Sequence, residues 1–181
     1  MFIITGGSGL LGNAFKAILS NELYPTSKEL NLCNQVGALN YLSDSKIDTV
    51  IHLAAKVGGV KANTEFVSDF YQINSQINNN LISACIDNKI PKLVSCLSTC
   101  IYPDEKYVTY PLTEDQLHNG PPHDSNFGYA YAKRMVDVQI RAARKQYGVN
   151  YISVIPNNLY GEHDNFDLQN GHVLPALIRK I

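Results

Sequence analysis

Tyr129 and Lys133 stand four residues apart in the run Tyr129-Ala130-Tyr131-Ala132-Lys133. On a helix, positions i and i+4 share a face, so a phenol and an ammonium can meet. The ammonium favours the phenolate and lowers the tyrosine pKa. A tyrosine tuned in this way can donate a proton to a carbonyl oxygen as hydride arrives. Ser98 ends the strand expected over Lys92–Ser98 and is placed to hydrogen-bond the same oxygen. Tyrosine–lysine pairs also arise by chance. This one gains meaning from the serine upstream and from a glycine loop. Tyr131 has Met135, not a lysine, four residues on and is assigned to packing.

The glycine loop is Gly6-Gly7-Ser8-Gly9-Leu10-Leu11-Gly12, between a short apolar run and an amphipathic one. Gly6, Gly9 and Gly12 make a G-x-x-G-x-x-G spacing. Such a loop turns tightly and lets backbone N–H groups approach a pyrophosphate at a helix N-terminus. By itself the pattern also describes an ordinary βα turn, and its strand–loop–helix context gives it weight. The end of the second strand separates NAD from NADP, because a carboxylate there accepts the ribose hydroxyl and repels a phosphate. The segment Tyr24-Pro25-Thr26-Ser27-Lys28 has no carboxylate. Ser27 and Lys28 point to NADP(H), unless Lys28 is merely a surface lysine.

The elements that must position these groups alternate along the chain. Strands are expected at Phe2–Thr5, briefly at Leu23–Tyr24, and at Asp48–Ala55, Lys92–Ser98 and Tyr151–Ile155. Helices are expected at Gly9–Asn21, Val36–Leu42, Phe66–Asn88 and Phe127–Tyr147, with a further one starting at His172–Lys180. The strands are continuously apolar rather than alternating, which argues a parallel sheet covered on both faces. Right-handed crossovers make this an α/β, doubly wound, Rossmann-like three-layer αβα fold. Asn78-Asn79-Asn80 reads as the polar face of a periodic helix. Ile101–Asn126 and Asn157–Gly171 resist assignment. Both follow strands, at the carboxyl ends where open α/β sheets bind ligands.

The chain has 181 residues, 45% of them hydrophobic, with a net charge of −1. That is enough for one core, and the charge supplies no global field for nucleic acid or membranes. No apolar run approaches the roughly 20 residues of a membrane span. No signal peptide is read at the N-terminus. Cys33, Cys85, Cys96 and Cys100 show no CxxC or zinc spacing, so no metal is expected and free thiols in a cytoplasmic protein are. Cys85 and Cys96 read as core thiols.

Longer strings carry a resemblance. The glycine loop, Ser98 and the Tyr129/Lys133 pair resemble the extended short-chain dehydrogenase/reductase superfamily. His52-Leu53-Ala54-Ala55-Lys56-Val57-Gly58-Gly59-Val60 and Ser98-Thr99-Cys100-Ile101-Tyr102-Pro103 are similar to segments of the GDP-L-fucose synthase family. So are the strings beginning at His118, Asn126, Pro156 and Gly171, in order along the whole chain. The resemblance implies an NADPH-dependent enzyme that epimerises GDP-4-keto-6-deoxy-D-mannose at C3 and C5 and then reduces it at C4. It assigns catalytic roles to Ser98, Tyr129 and Lys133, and makes Cys100 and His172 the epimerisation base and acid. For the cofactor it implies Gly6, Gly7, Ser8, Gly9, Leu10, Leu11, Gly12, Ser27, Lys28, Ala54, Ala55, Leu97, Lys133, Pro156, Asn157, Asn158, Leu159 and His172. Lys180 matches a position that contacts the diphosphate of the GDP-sugar. A homodimer through the helices in Asn63–Asn88 and Phe127–Tyr147 is also implied.

Members of that family continue into a smaller C-terminal domain that grips the substrate. On this reading residues 1–181 are the NADP-binding Rossmann domain alone, without the substrate domain. Two other functions compete: a nucleotide-binding module without turnover, and another sugar-nucleotide epimerase or dehydratase of the superfamily. An acid after the second strand is expected in the latter, and none is seen.

Overall fold

Four short strands form one parallel sheet in the order β1 (Phe2–Thr5), β2 (Thr49–His52), β3 (Lys92–Cys96), β4 (Asn150–Val154). The computed structural model describes residues 1–168 and 171–181. The helices are α1 (Leu10–Ile18), α2 (Gln35–Tyr41), α3 (Val60–Glu65), α4 (Val67–Asp87), α5 (Phe127–Tyr147) and α6 (Val173–Lys180). The expected strand at Leu23–Tyr24 reduces to one parallel bridge, Leu23 to Ile3. Tyr24 instead folds over the glycine loop, where its Cβ lies 2.9 Å from where a side chain on Gly7 would begin.

The path from β1 through α1 to Leu23 runs one way across the sheet, and every later crossover runs the other way. With right-handed crossovers, α1 lies on one face and α2, α4 and α5 on the opposite face. Side-chain rows follow the register. Ile3, Val50, Leu93 and Tyr151 are aligned across all four strands, and each is fully buried. They pack with Leu81, Ile82 and Cys85 of α4 and Val136 and Ile140 of α5. The row toward the carboxyl ends is polar: Thr5, His52, Ser95, Ser153. The α1 face is covered unevenly. Ile4 is fully buried and Ile51 nearly so, whereas Ile152 is 44% and Val154 42% exposed.

The buried face of α4 includes Phe70, Asn74, Asn78, Leu81 and Cys85 at helical spacing. Asn78 is therefore not part of a polar outer face, as its tract suggests. It is 2% exposed and points at the sheet. Helix α3 is an element the periodicity does not reveal. The segment 101–126 is built from short 3₁₀ turns at Thr99–Ile101, Glu105–Tyr107, Glu114–His118 and Asp124–Asn126. Its Gln116 is almost buried and bonds the backbone of Thr109 and Pro111. Of the expected loop Asn157–Gly171, residues Gln169 and Asn170 lie outside the described residues.

Candidate active site

Strand β1 ends at Thr5, and Gly6 turns the chain with φ +75°, a conformation that favours glycine. A Cβ on Gly6 would stand 2.7 Å from the Ala54 nitrogen, so the turns after β1 and β2 touch backbone to backbone. Gly12 is equally constrained: a Cβ there would strike the Gly6 carbonyl and Gly7. Gly9 is different. It is exposed, and a Cβ would meet only the Gly6 oxygen, at an ordinary 3.5 Å. The protein's own packing does not demand glycine there, and the missing side chain leaves the loop open to an approaching ligand. No side chain caps the N-terminus of α1, so its first amides are available to an anion. The loop therefore fits a dinucleotide pyrophosphate.

Ser98 follows β3, and its hydroxyl accepts a hydrogen bond from the Cys100 N–H at 3.3 Å. Cys100 sits partly buried in the turn Thr99–Ile101. Tyr129, in the first turn of α5, crosses Phe70 edge-on with centroids 6.4 Å apart. Burial pushes its hydroxyl pKa up, and the proximity of Cys100 and Cys96 adds to this, while a hydrogen bond with Ser98 pulls the other way. The sequence leads to the opposite expectation, a phenol lowered by Lys133. Lys133 is 2% exposed, and its ammonium donates to the Cys96 carbonyl at 2.9 Å. Burial lowers its pKa to about 8. The structure thus groups Ser98, Cys100, Tyr129 and Lys133 around the end of β3. Tyr131 packs against Phe127 at 5.0 Å and under Arg134.

His172 lies apart from this group by hydrogen bonding. It precedes α6, its side chain is 57% exposed, and its Nδ1 is 4.0 Å from Asp164 Oδ1. Among the described residues no hydrogen bond joins it to Ser98, Cys100 or Tyr129. The Asp164 side chain is 7% exposed, and its Oδ2 is buried with no hydrogen-bond partner among the described residues. Pro156 is partly buried, Asn157, Asn158 and Leu159 are exposed, and Leu97 is buried. Lys180 is exposed in the last turn of α6. Among the described residues no cluster of three His, Cys, Asp or Glu could hold a metal ion, and no helix is long and apolar enough to cross a membrane.

Ser27 and Lys28 are exposed in a turn after Thr26. A carboxylate does lie beside them: Glu29 bends back to accept from the Thr26 N–H and hydroxyl, both at 2.8 Å. Those bonds lower its pKa. Glu29 lies one position beyond the segment in which a ribose-binding acid is sought. Arg134 is another residue that spacing does not mark. It is 5% exposed and bonds the carbonyls of Ile101 and Gly120. Its neighbour Lys133 draws attention through the tyrosine pair, while an arginine serving carbonyls leaves no pattern in sequence.

The pattern of the NAD dependent epimerase/dehydratase family matches residues 2–181. The chain is 45% identical to a GDP-L-fucose synthase of Dictyostelium discoideum, covering 98% of this chain and 57% of that protein. A GDP-L-fucose synthetase from Naegleria fowleri, solved bound to NADP, superposes with a TM-score of 0.87 at 41% identity, covering 99% of this chain and 56% of that one. A GDP-mannoheptose C4 reductase from Campylobacter jejuni with NADP bound gives 0.89 at 33% identity, covering 99% and 54%. The chain spans just over half the length of these relatives.

Proposed function

The chain belongs to the NAD dependent epimerase/dehydratase family, and from that premise we propose that residues 1–181 are the NADPH-binding Rossmann domain of an enzyme converting GDP-4-keto-6-deoxy-D-mannose to GDP-L-fucose. The single observation that carries this is the gathering of Ser98, Cys100, Tyr129 and Lys133 at the carboxyl ends of a sheet whose first turn is an open glycine loop. The relatives' names supply the substrate.

The chemistry a bound NADPH supplies is hydride delivery to the C4 carbonyl carbon. Gly6–Gly12 and the uncapped start of α1 would hold the pyrophosphate, and Ser27 and Lys28 would meet the ribose phosphate. Tyr129 donates its hydroxyl proton to the ketone oxygen. Ser98 hydrogen-bonds the same oxygen. In epimerisation Cys100 removes a proton α to the ketone on one sugar face, and His172 returns one from the other. The exposed Lys180 meets the diphosphate. The unpaired cysteines are consistent with a cytoplasmic protein. Tyr71, Met135 and Val138, exposed on α4 and α5, support a homodimer through those helices.

The test is a titration of the purified chain with NADPH and NADH, followed by incubation with the keto sugar nucleotide. Saturable binding with NADPH favoured over NADH supports the reading, and absence of binding overturns it. Binding without turnover is a second reading, favoured by the exposed position of His172. NADPH saturation with neither NADPH oxidation nor solvent deuterium entering the sugar would establish it.

A further inference from the structure

His52 is the one histidine of the chain that is fully buried, and the chemistry proposed above does not use it. Its ring spans two segments. Nδ1 is 2.8 Å from Thr5 Oγ1, and Nε2 is 3.1 Å from Asn78 Oδ1. Asn78 Nδ2 donates to the carbonyl of Ala132, next to Lys133, at 3.3 Å. Because that amide nitrogen is committed to a carbonyl, Asn78 Oδ1 must accept, and His52 must carry its proton on Nε2. Nδ1 is then an acceptor, so Thr5 donates to it. The Thr5 oxygen in turn accepts the N–H of Ala54 at 3.3 Å. Ala54 is the residue against which Gly6 turns. All the bonds run in one direction, and both ring nitrogens are satisfied.

We propose that His52 is a positioning residue: through Thr5 and Asn78 it couples the glycine-loop turn to the segment of α5 that carries Lys133. An apolar side chain would fill this row as Val50 and Leu93 fill the one below, so burial alone does not call for an imidazole. Burial lowers the ring's pKa to about 3, and the nearby Lys133 charge contributes. The ring is neutral and has no access to substrate, so it acts through its bonds and not as an acid or base. Buried polar chains satisfied at every member fix one arrangement, because breaking any link strands its neighbours. The relay's meaning for catalysis rests on the nucleotide reading of the loop. The relay itself does not, and its test uses no ligand.

The two halves of the relay are separable. Glutamine reproduces the Nε2 donor of histidine, and asparagine the Nδ1 acceptor. Amide hydrogen exchange is measured on the ligand-free chain for His52→Gln, His52→Asn and Asn78→Leu, with Ile82→Val on α4 as the control for uniform loosening. His52→Gln keeps the bond to Asn78 but loses the one to Thr5, and its effect at residues 6–12 should still reach residues 130–136. His52→Asn and Asn78→Leu should speed exchange both there and at residues 6–12, on the order of tenfold more than Ile82→Val does. Faster exchange confined to the end each variant detaches, residues 6–12 for His52→Gln and residues 130–136 for His52→Asn and Asn78→Leu, would overturn the coupling. Should the variants not fold, nitrogen-15 spectra of the wild-type ring decide. An Nε2–H tautomer at neutral pH is expected, and an Nδ1–H or doubly protonated ring refutes the relay.

Discussion

Arg134 grips the carbonyl oxygen of Ile101 with two guanidinium nitrogens, Nε at 2.8 Å and Nη2 at 2.6 Å. A third, Nη1, donates to Gly120 at 2.7 Å. One side chain of α5 thereby ties the start of a long irregular segment, at the turn that carries Cys100, to Gly120 near its far end. Replacing it with methionine keeps the stem and strands buried carbonyls. We expect a loss of about 3 kcal/mol in chemical denaturation and early proteolytic cleavage within residues 101–126. Arg134→Lys should recover little, since a point charge cannot reproduce the fork.

The glycine loop separates folding from binding. Gly6→Ala forces a positive φ and a collision with Ala54, and should destabilise the chain by roughly 2 kcal/mol or more. Gly9→Ala meets no obstacle among the described residues and should leave stability within about 0.5 kcal/mol. It should nevertheless weaken NADPH binding. Thermal unfolding alongside a nucleotide titration compares the two, and equal loss of stability would remove the distinction.

Lys133 makes stability depend on pH. Its folded pKa of about 8 lies below the ordinary lysine value, so the unfolded chain binds more protons between pH 8 and 10.5. Stability contributed by this residue must rise with pH across that window. Cys85 opposes it, because burial raises its thiol to about 12 and stability falls as the unfolded thiol ionises. The difference between wild type and Lys133→Met isolates the lysine, and should grow by up to about 3 kcal/mol from pH 8 to 10.5. A flat difference would show that the ammonium is better solvated than its 2% exposure implies.

Thiol labelling offers a simpler measurement. Cys33 is exposed and should react with a disulfide reagent at once in the native protein. Cys85 is buried with a raised pKa and should react only on unfolding. Rapid native labelling of Cys85 would mean that α4 opens locally.

Those elements that announce themselves by apolar rhythm are the ones the sequence made visible. Phe127–Tyr147 coincides with α5 and Phe2–Thr5 with β1, while Asp48–Ala55 shrinks to Thr49–His52 and Tyr151–Ile155 shifts by one residue to Asn150–Val154. Helix α3 lay hidden, since Val60–Glu65 has six residues and little apolar pattern. Leu23–Tyr24 is too short for a ladder, and its tyrosine serves the glycine loop instead. In the candidate site, spacing and strand position single out Tyr129, Lys133 and Ser98, and the structure brings them together at the end of β3. The direction of the Tyr129 shift was not legible, because burial raises it and Lys133 gives its ammonium to the Cys96 carbonyl, which only three dimensions reveal. Asn78 looked like solvent-facing polarity because its partner His52 is distant in sequence. Arg134 and Glu29 act on backbone or hydroxyl groups nearby, which any sequence offers.

The sheet face that loses cover from Ile4 toward Ile152 and Val154 bears on how the chain responds to temperature. The share of these side chains already hydrated in the native state adds nothing further when the chain melts. The heat-capacity increment of unfolding should therefore be smaller than chain length alone suggests, and the stability curve correspondingly shallow. The same wetted isoleucine and valine would take up a hydrophobic dye before any melting begins.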